Sequence, residues 1–183
     1  MAERLFVTRG YARTSLEAII AESGLTRGAI YHHFDGKEAL FAAVAEAISA
    51  RAAIGIALAA QSATGIDDRL RAVCNAYLDA GLSPAVRQVL LVDAPAVLGW
   101  EKWRTIGTPQ GLGFLEMLIQ SAVANDAVAD LPVRALAHAL LGAINELNMS
   151  LAASDDKDRA RLEAGLVVDR LLSGLRPRQP KSR

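Results

Sequence analysis

Apolar residues recur along this chain at the three- and four-residue spacing of amphipathic helices, and no stretch shows sustained alternation of apolar and polar residues. Glycine, proline and hydroxyl residues separate the helical windows. The pattern therefore predicts an all-α protein of about nine helices, with windows at about 2–9, 16–23, 27–34, 37–60, 67–82, 84–93, 109–125, 132–153 and 155–175, and a short additional one at 99–104.

Local capping signals predict several of the helix ends. Thr14 followed by Glu17 is a capping-box pattern, so Thr14 is expected to cap the second helix, as Thr26 is expected to cap the third. Ser83-Pro84 and Pro132 are start signals, because proline is favoured in the first turn.

Composition narrows the fold class. The chain has 183 residues, of which 35 are alanine and only 5% are aromatic, so closely packed helices are favoured. The single cysteine, Cys74, excludes an internal disulfide and any cysteine-cluster metal site. The longest uninterrupted apolar run, 52–60, is far shorter than the roughly 20 residues of a membrane span, and the N-terminus lacks the apolar core of a signal peptide. We therefore expect a cytoplasmic protein without membrane association.

The segment 14–40 contains the most informative pattern. Two short capped helices are joined by the turn 23–26, in which Gly24 permits a positive φ and Leu25 is expected to fill the angle between the helices. Two short helices joined by a tight glycine-containing turn are typical of a helix-turn-helix.

The second helix of this pair has the surface expected of a helix that reads a DNA groove. Ile30 and Phe34 are expected to face inward, while hydroxyl, phenol and imidazole groups point outward and glycine and alanine allow close approach of the backbone. Lys37 lies at a helix N-terminus, where an ammonium and the helix dipole both favour a phosphate. The predicted DNA contacts are Thr14, Ser15, Thr26, Arg27, Gly28, Ala29, Tyr31, His32 and Lys37.

The run from Thr26 to Phe41 resembles the recognition helix and the following helix of TetR-family transcriptional regulators, and upstream matches extend the resemblance over about residues 2–48. The resemblance implies a homodimer in which three N-terminal helices bind double-stranded operator DNA and about six others bind a ligand and dimerise. One departure is charge: residues 1–53 hold six Lys/Arg and six Asp/Glu, so low non-specific DNA affinity is expected.

The expected organisation has three parts. Residues 1–48 would form the DNA-binding domain, with the recognition motif at about 15–34, and residues 49–175 the effector-binding and dimerisation domain. The basic tail, 176–183, is expected to be disordered.

An apolar effector cavity is expected in the second domain, because large side chains spaced among alanines leave a void more easily than uniform leucine does. No Lys or Arg lies within 112–125 or 135–153, which disfavours a strongly anionic effector. The two tryptophans could instead only pack, and the two asparagines could line a dimer seam or face solvent. The candidate lining residues are Tyr77, Leu78, Trp100, Trp103, Phe114, Met117, Leu118, Asn145, Asn148 and Met149.

The last two helices carry long apolar stripes, which predict a four-helix seam between two copies of the chain. The stripes comprise Leu136, Leu140, Ile144, Leu147, Leu162, Leu166, Leu171 and Leu175.

The leading hypothesis is a repressor that a small hydrophobic effector releases from its operator. The alternatives are a dimeric all-α small-molecule-binding protein or enzyme without operator binding, and a dimeric interaction module. No nucleophile–base pair, phosphate-binding loop or metal-ligand spacing is present in the sequence, so no catalytic residue, metal or cofactor is expected.

Overall fold

The computed structural model describes residues 1–107 and 111–177, and within these ranges it contains helices and no strand. This helical content confirms the predicted all-α class. The elements are α1 (Ala2–Arg9), α2 (Leu16–Ser23), α3 (Arg27–His33), α4 (Lys37–Ser62), α5 (Ile66–Leu82), a π-helix (Val86–Asp93), α6 (Ala94–Gly107), α7 (Gly113–Ala124), α8 (Val133–Ala153) and α9 (Lys157–Gly174).

The middle of the chain differs most from the predicted windows. Residues 86–93 form a π-helix that continues directly into α6, so Pro95 does not separate two elements. The predicted short window at 99–104 is part of α6, which bends at Gly99, where φ is 76°. The predicted start at Thr108-Pro109 lies outside the described residues.

The chain divides into two compact units. The described residues of Met1–Ala52 and Ser83–Thr108 form the N-terminal unit, and those of Ala53–Leu82 and Pro109–Arg183 form the C-terminal unit. The sequence placed a boundary at residue 48; the units divide α4 near Ala52, and the π-helix and α6 belong with the N-terminal helices. The functional domains remain predictions, and residues 178–183 of the predicted tail lie outside the described part.

Aromatic packing organises the N-terminal unit. The ring of Phe6 packs edge-on against Phe41 at a centroid distance of 5.1 Å, and Tyr11 packs against both rings. Leu5 and Phe6 of α1 are fully buried, and the π-helix contributes Val89 to the same core. This core fixes α1 against the helices that follow it.

The C-terminal unit is a bundle in which α5 packs against α7, α8 and α9. Its core includes Leu70, Leu78, Leu115 and Ile144. Polar contacts join the same helices: Arg161 Nε of α9 donates to Asp79 Oδ1 of α5 at 2.7 Å.

Helix α4 is long and apolar enough to cross a membrane by length and composition, and no other helix in the described ranges meets both criteria. Part of its apolar surface is packed within the protein, whereas Ile54 and Leu58 are exposed. Leu40, Phe41 and Ile48 are buried in the N-terminal unit, and Ile56 and Ala60 in the C-terminal one. Helix α4 is therefore a core helix of both units.

Candidate functional site

Helices α2 and α3 form the predicted helix-turn-helix, and each is capped by a hydroxyl side chain. Ser15 Oγ accepts a hydrogen bond from Ala18 N at 3.0 Å, and Thr26 Oγ1 accepts one from Ala29 N at 3.2 Å. Gly24 ends α2 in the left-handed conformation, with φ 69°. Leu25 was expected to fill the angle between the helices, but the structure leaves it 55% exposed.

The structure corrects the prediction that Thr14 caps α2 and contacts DNA. Ser15 rather than Thr14 caps α2. The Thr14 side chain is fully buried, and its hydroxyl donates to Gly10 O at 2.8 Å and Leu5 O at 3.3 Å. Since these carbonyls already take the hydroxyl proton, Thr14 stabilises the α1–α2 connection and does not offer a donor to a phosphate.

The remaining predicted residues of α3 lie on its exposed face. Ile30 is 5% exposed and anchors the helix in the core, whereas Tyr31 is 46% exposed. Arg27 lies over the Tyr31 ring at 5.5 Å and near Glu17 Oε1 at 3.6 Å. The exposed residues are Thr26, Arg27, Gly28, Ala29, Tyr31 and His32. His33, which was not among the predicted contacts, is exposed as well.

Lys37 is held by the loop between α1 and α2. Its Nζ donates to Tyr11 O at 3.0 Å and lies 3.9 Å from the centre of the Tyr11 ring. The side chain is half-buried at the N-terminus of α4. No sequence signal indicated that Tyr11 would hold it.

Three arginines of the N-terminal unit are paired with carboxylates. Arg4 and Arg9 both bind Glu22, and Arg51 binds Glu3. The neutral formal charge of residues 1–53 is thus accompanied by local neutralisation of these three arginines.

Two family models match the chain. The model described as "Bacterial regulatory proteins, tetR family" matches residues 1–44, and "Tetracyclin repressor-like, C-terminal domain" matches residues 68–175. The second match alone covers more than half of the chain. The chain belongs to the TetR family of transcriptional regulators. Its family and its curated relatives are regulators rather than enzymes.

Individual TetR-family proteins support the same assignment. A crystal structure of a TetR-family transcriptional regulator from Pectobacterium atrosepticum is 31% identical, with a TM-score of 0.82, covering 98% of this chain and 92% of that one. TtgR of Pseudomonas putida is 49% identical over 47 residues, which are 26% of this chain and 22% of TtgR. The transcriptional activator FasR of Mycolicibacterium smegmatis is 31% identical over 78 residues, 43% of this chain and 36% of FasR. The chain therefore matches less than half of either curated relative.

Most predicted effector residues of this TetR-family chain lie in its C-terminal unit. Leu78 and Leu118 are in the core, and Tyr77 and Phe114 pack against it. Asn148 is 3% exposed and Asn145 half-buried, whereas Met117 and Met149 are 58% and 38% exposed. The methionines are therefore surface residues of the protomer.

Trp100 and Trp103 belong to the N-terminal unit instead. Trp103 packs against that unit's core, and its Nε1 donates to Leu90 O of the π-helix at 2.7 Å. Trp100 is 62% exposed and lies against Trp103 at a ring-centroid distance of 4.9 Å. The structure therefore does not gather the tryptophans into the same core as the other predicted lining residues.

Three buried side-chain atoms described in the C-terminal unit have no hydrogen-bond partner: Tyr77 Oη, Asn148 Oδ1 and Asp169 Oδ1. Asp169 Oδ1 forms an ion pair with Arg71, so only the oxygens of Tyr77 and Asn148 lack a polar contact of this kind. The amide group of Asn148 is otherwise used, because its Nδ2 donates to Tyr77 O at 3.1 Å. Burial raises the pKa of the Tyr77 phenol, so this group is a neutral donor near neutral pH. A residue pattern alone could not have revealed which polar atoms are left unsatisfied.

No group of three or more His, Cys, Asp or Glu side chains that could hold a metal ion occurs within 1–107 and 111–177. His32 and His33 lie side by side at 5.1 Å between ring centroids and are not part of such a group.

Proposed function

We propose that this TetR-family protein is a cytoplasmic repressor that binds operator DNA through α3 and leaves it when a small apolar effector binds. The observation that carries the proposal is the exposed face of α3, which is rich in donors and small residues while Ile30 anchors the opposite face. In a helix-turn-helix the second helix enters the major groove. The proposed contacts are Ser15, Thr26, Arg27, Gly28, Ala29, Tyr31, His32 and Lys37.

Two roles are proposed for the side chains of five of these residues. Ser15 and Lys37, at the N-termini of α2 and α4, are proposed to contact phosphates, since free backbone N–H groups and the helix dipole favour an anion there. Arg27, Tyr31 and His32 are proposed to reach base edges from α3. Phosphate contacts position a protein on DNA, and base contacts specify the sequence.

The test is binding to fragments of the promoters next to the gene, measured over a range of salt concentrations. Tyr31→Ala is expected to weaken operator binding by about 1–3 kcal/mol, the usual range for a base contact. Lys37→Ala is expected to weaken binding to all sequences and to lower the salt slope by about one.

Thr105→Ala is the matched control, because Thr105 is an exposed residue of α6 in the same unit that lies outside both the helix-turn-helix and the π-helix. It should bind like wild type. Operator affinity that is unchanged in both Tyr31→Ala and Lys37→Ala would overturn the proposed binding face.

The proposed effector is a neutral, mainly apolar molecule bound in the C-terminal unit. The surroundings of Tyr77 and Asn148 are apolar, and each contributes one buried oxygen without a partner. Ligand sites are mostly apolar with a few polar groups that fix orientation. Leu78, Phe114, Leu118 and Asn145 are proposed as further lining residues.

Release follows from linkage: an effector weakens DNA binding only if it binds the DNA-incompetent conformation more tightly. Helix α4 extends from the N-terminal into the C-terminal unit and is the proposed connection. In a dimer, its movement would change the recognition-helix separation from the 34–36 Å of successive major grooves. A reporter gene that becomes more active on deletion of the regulator indicates a repressor, and one that becomes less active indicates an activator.

The proposed assembly is a homodimer formed by α8 and α9. Leu162 and Leu166 are each 70% exposed on α9, and Val167 and Leu171 extend this ridge. The α8 residues predicted for the seam do not form such an exposed ridge. Leu140 and Ile144 are buried in the core of the protomer, and Leu136 and Leu147 pack against that core. Leu175, after the end of α9, packs against it as well. The exposed face of α8 carries small residues that would allow close approach, Ala135, Ala139 and Gly142.

A further inference from the structure

The π-helix ends at a carboxylate that reaches the helix-turn-helix unit. Asp93, its last residue, accepts a hydrogen bond at Oδ2 from the backbone N–H of Tyr11, at 2.8 Å. The two residues are 82 positions apart in sequence but lie in one compact unit. A bond between a carboxylate and a backbone N–H is charge-assisted and stronger than one between neutral groups.

Tyr11 lies in the connection between α1 and α2, and both sides of its backbone are held. The Asp93 carboxylate accepts a hydrogen bond from the Tyr11 N–H, and Lys37 Nζ donates one to the Tyr11 carbonyl at 3.0 Å. The buried Thr14 hydroxyl closes the same connection by donating to Gly10 O at 2.8 Å. Directly after it comes Ser15, the cap of α2. The connection therefore joins three groups: the carboxylate of Asp93, the ammonium of Lys37 and the N-terminus of α2.

We propose that Asp93 is a positioning residue for DNA binding: it fixes the α1–α2 connection so that Ser15 and Lys37 are presented together to the phosphate backbone. This inference rests on the proposed function and adds a residue from outside the helix-turn-helix. Asp93 itself is not proposed to touch DNA.

The backbone around Asp93 supports a specific fit. The segment Val86–Asp93 is π-helical, and such segments often occur at functional sites. A change of this segment to α-helical register would rotate Asp93 about the helix axis and withdraw its carboxylate from Tyr11. Gly10 lies opposite Asp93. Its φ is 75°, a value that residues with a side chain rarely adopt, and a Cβ added there would lie 3.6 Å from Asp93 Oδ2.

The test compares two variants that have the same net charge. Asp93→Asn keeps an oxygen that can accept from Tyr11 N–H, whereas Asp93→Leu removes it at similar volume. Loss of a carboxylate from a DNA-binding unit should by charge alone strengthen DNA binding slightly. We expect Asp93→Asn to bind operator at least as tightly as wild type, and Asp93→Leu to bind about tenfold more weakly, which corresponds to 1.4 kcal/mol.

Hydrogen exchange of the Tyr11 amide supplies a readout that does not involve DNA. It should be accelerated in Asp93→Leu and protected in Asp93→Asn. Asp79→Leu is the matched control: it removes a carboxylate of the C-terminal unit that pairs with Arg161, and it should leave operator affinity unchanged.

The outcomes separate this inference from the proposed function. If wild type binds operator but Asp93→Asn and Asp93→Leu bind with equal affinity, the positioning role of Asp93 is overturned and the proposed function stands. If wild type binds no promoter fragment, the proposed function is overturned, and the inference with it.

Discussion

Burial controls the chemistry of Cys74, the single cysteine. Its thiol is fully buried in the core of the C-terminal unit, and burial raises the pKa of this thiol to about 12. The thiolate is the reactive form of cysteine, so the folded protein holds very little of it near neutral pH.

We therefore predict that Cys74 is inert to thiol reagents in the native state. At pH 8, Ellman's reagent should leave the folded protein unmodified for hours and react with one thiol per chain in guanidinium chloride. A native protein that reacts within minutes would show that the C-terminal unit opens readily.

The same pKa shift predicts a loss of stability in alkali. Because the unfolded thiol has the ordinary pKa near 9.0, the unfolded chain loses its proton first as the pH rises. This part of the stability is thus fully present below about pH 9 and declines between about pH 9 and pH 12. Cys74→Ala should show a shallower alkaline decline in melting temperature than wild type.

Thr14 and Ser15 show what a residue pattern can and cannot predict. Each could cap α2, because both carry a hydroxyl and lie at the start of the same helical window. The choice depends on α1: the carbonyls of Leu5 and Gly10 take the Thr14 hydroxyl and leave Ser15 to cap. Such contacts depend on how one helix packs on another, which the local pattern does not contain.

At the scale of the element, Gly81 permits the close packing of α5 and α8. A Cβ built on Gly81 would lie 2.1 Å from Asn148 Cγ, and the Asn148 amide donates to the carbonyl of Tyr77 one turn earlier. The absence of a side chain at this position lets the asparagine lie against the helix backbone.

We predict that Gly81→Ala lowers the free energy of unfolding by about 1–3 kcal/mol, the usual cost of overpacking. Gly55→Ala is the control, since Gly55 is exposed on α4 with no atom within 4 Å of the added carbon, and it should gain up to about 1 kcal/mol from helix propensity. Denaturant melts of both variants give the comparison. Equal stabilities would mean that Asn148 does not lie against Gly81.

Helical periodicity predicted which face of α8 is buried but not what covers it. Leu140 and Ile144 are on the predicted stripe and are buried, yet they pack within the C-terminal unit of one protomer. The π-helix was not predictable either, because three- and four-residue apolar spacing does not distinguish a π-helical segment from an α-helical one. The boundaries of α1 and α2 agree with the predicted windows, where caps and glycines punctuate the chain.

At the scale of the whole molecule, the ridge on α9 predicts the oligomeric state. Wild type should be a dimer at micromolar concentration by light scattering. Leu166→Glu should shift it to monomer and weaken operator binding, because two linked half-site contacts are replaced by one. Leu131→Glu, at a 39% exposed leucine outside α8 and α9, is the control and should remain dimeric. Monomeric wild type would exclude this assembly.

The division into units was only partly predictable. The N-terminal helices and the bundle character of the rest follow from local windows, whereas the place of residues 83–107 depends on contacts with α1 that are distant in sequence. The spacing of large side chains among alanines predicts an effector site that includes Trp100 and Trp103, but this pattern does not contain the contacts that place them in the N-terminal unit.

The location of these two tryptophans has a spectroscopic consequence. They are the only tryptophans of the chain, and both belong to the unit that contains α2 and α3. Trp100 is mostly exposed, whereas Trp103 is half-buried and hydrogen-bonded to the π-helix, so the two should differ in emission wavelength. Tryptophan fluorescence is thus a signal from the N-terminal unit, whichever unit holds the added molecule. A compound that alters it, in a Trp100→Phe background that leaves Trp103 as the single emitter, reports a change next to Leu90 and the π-helix without any label.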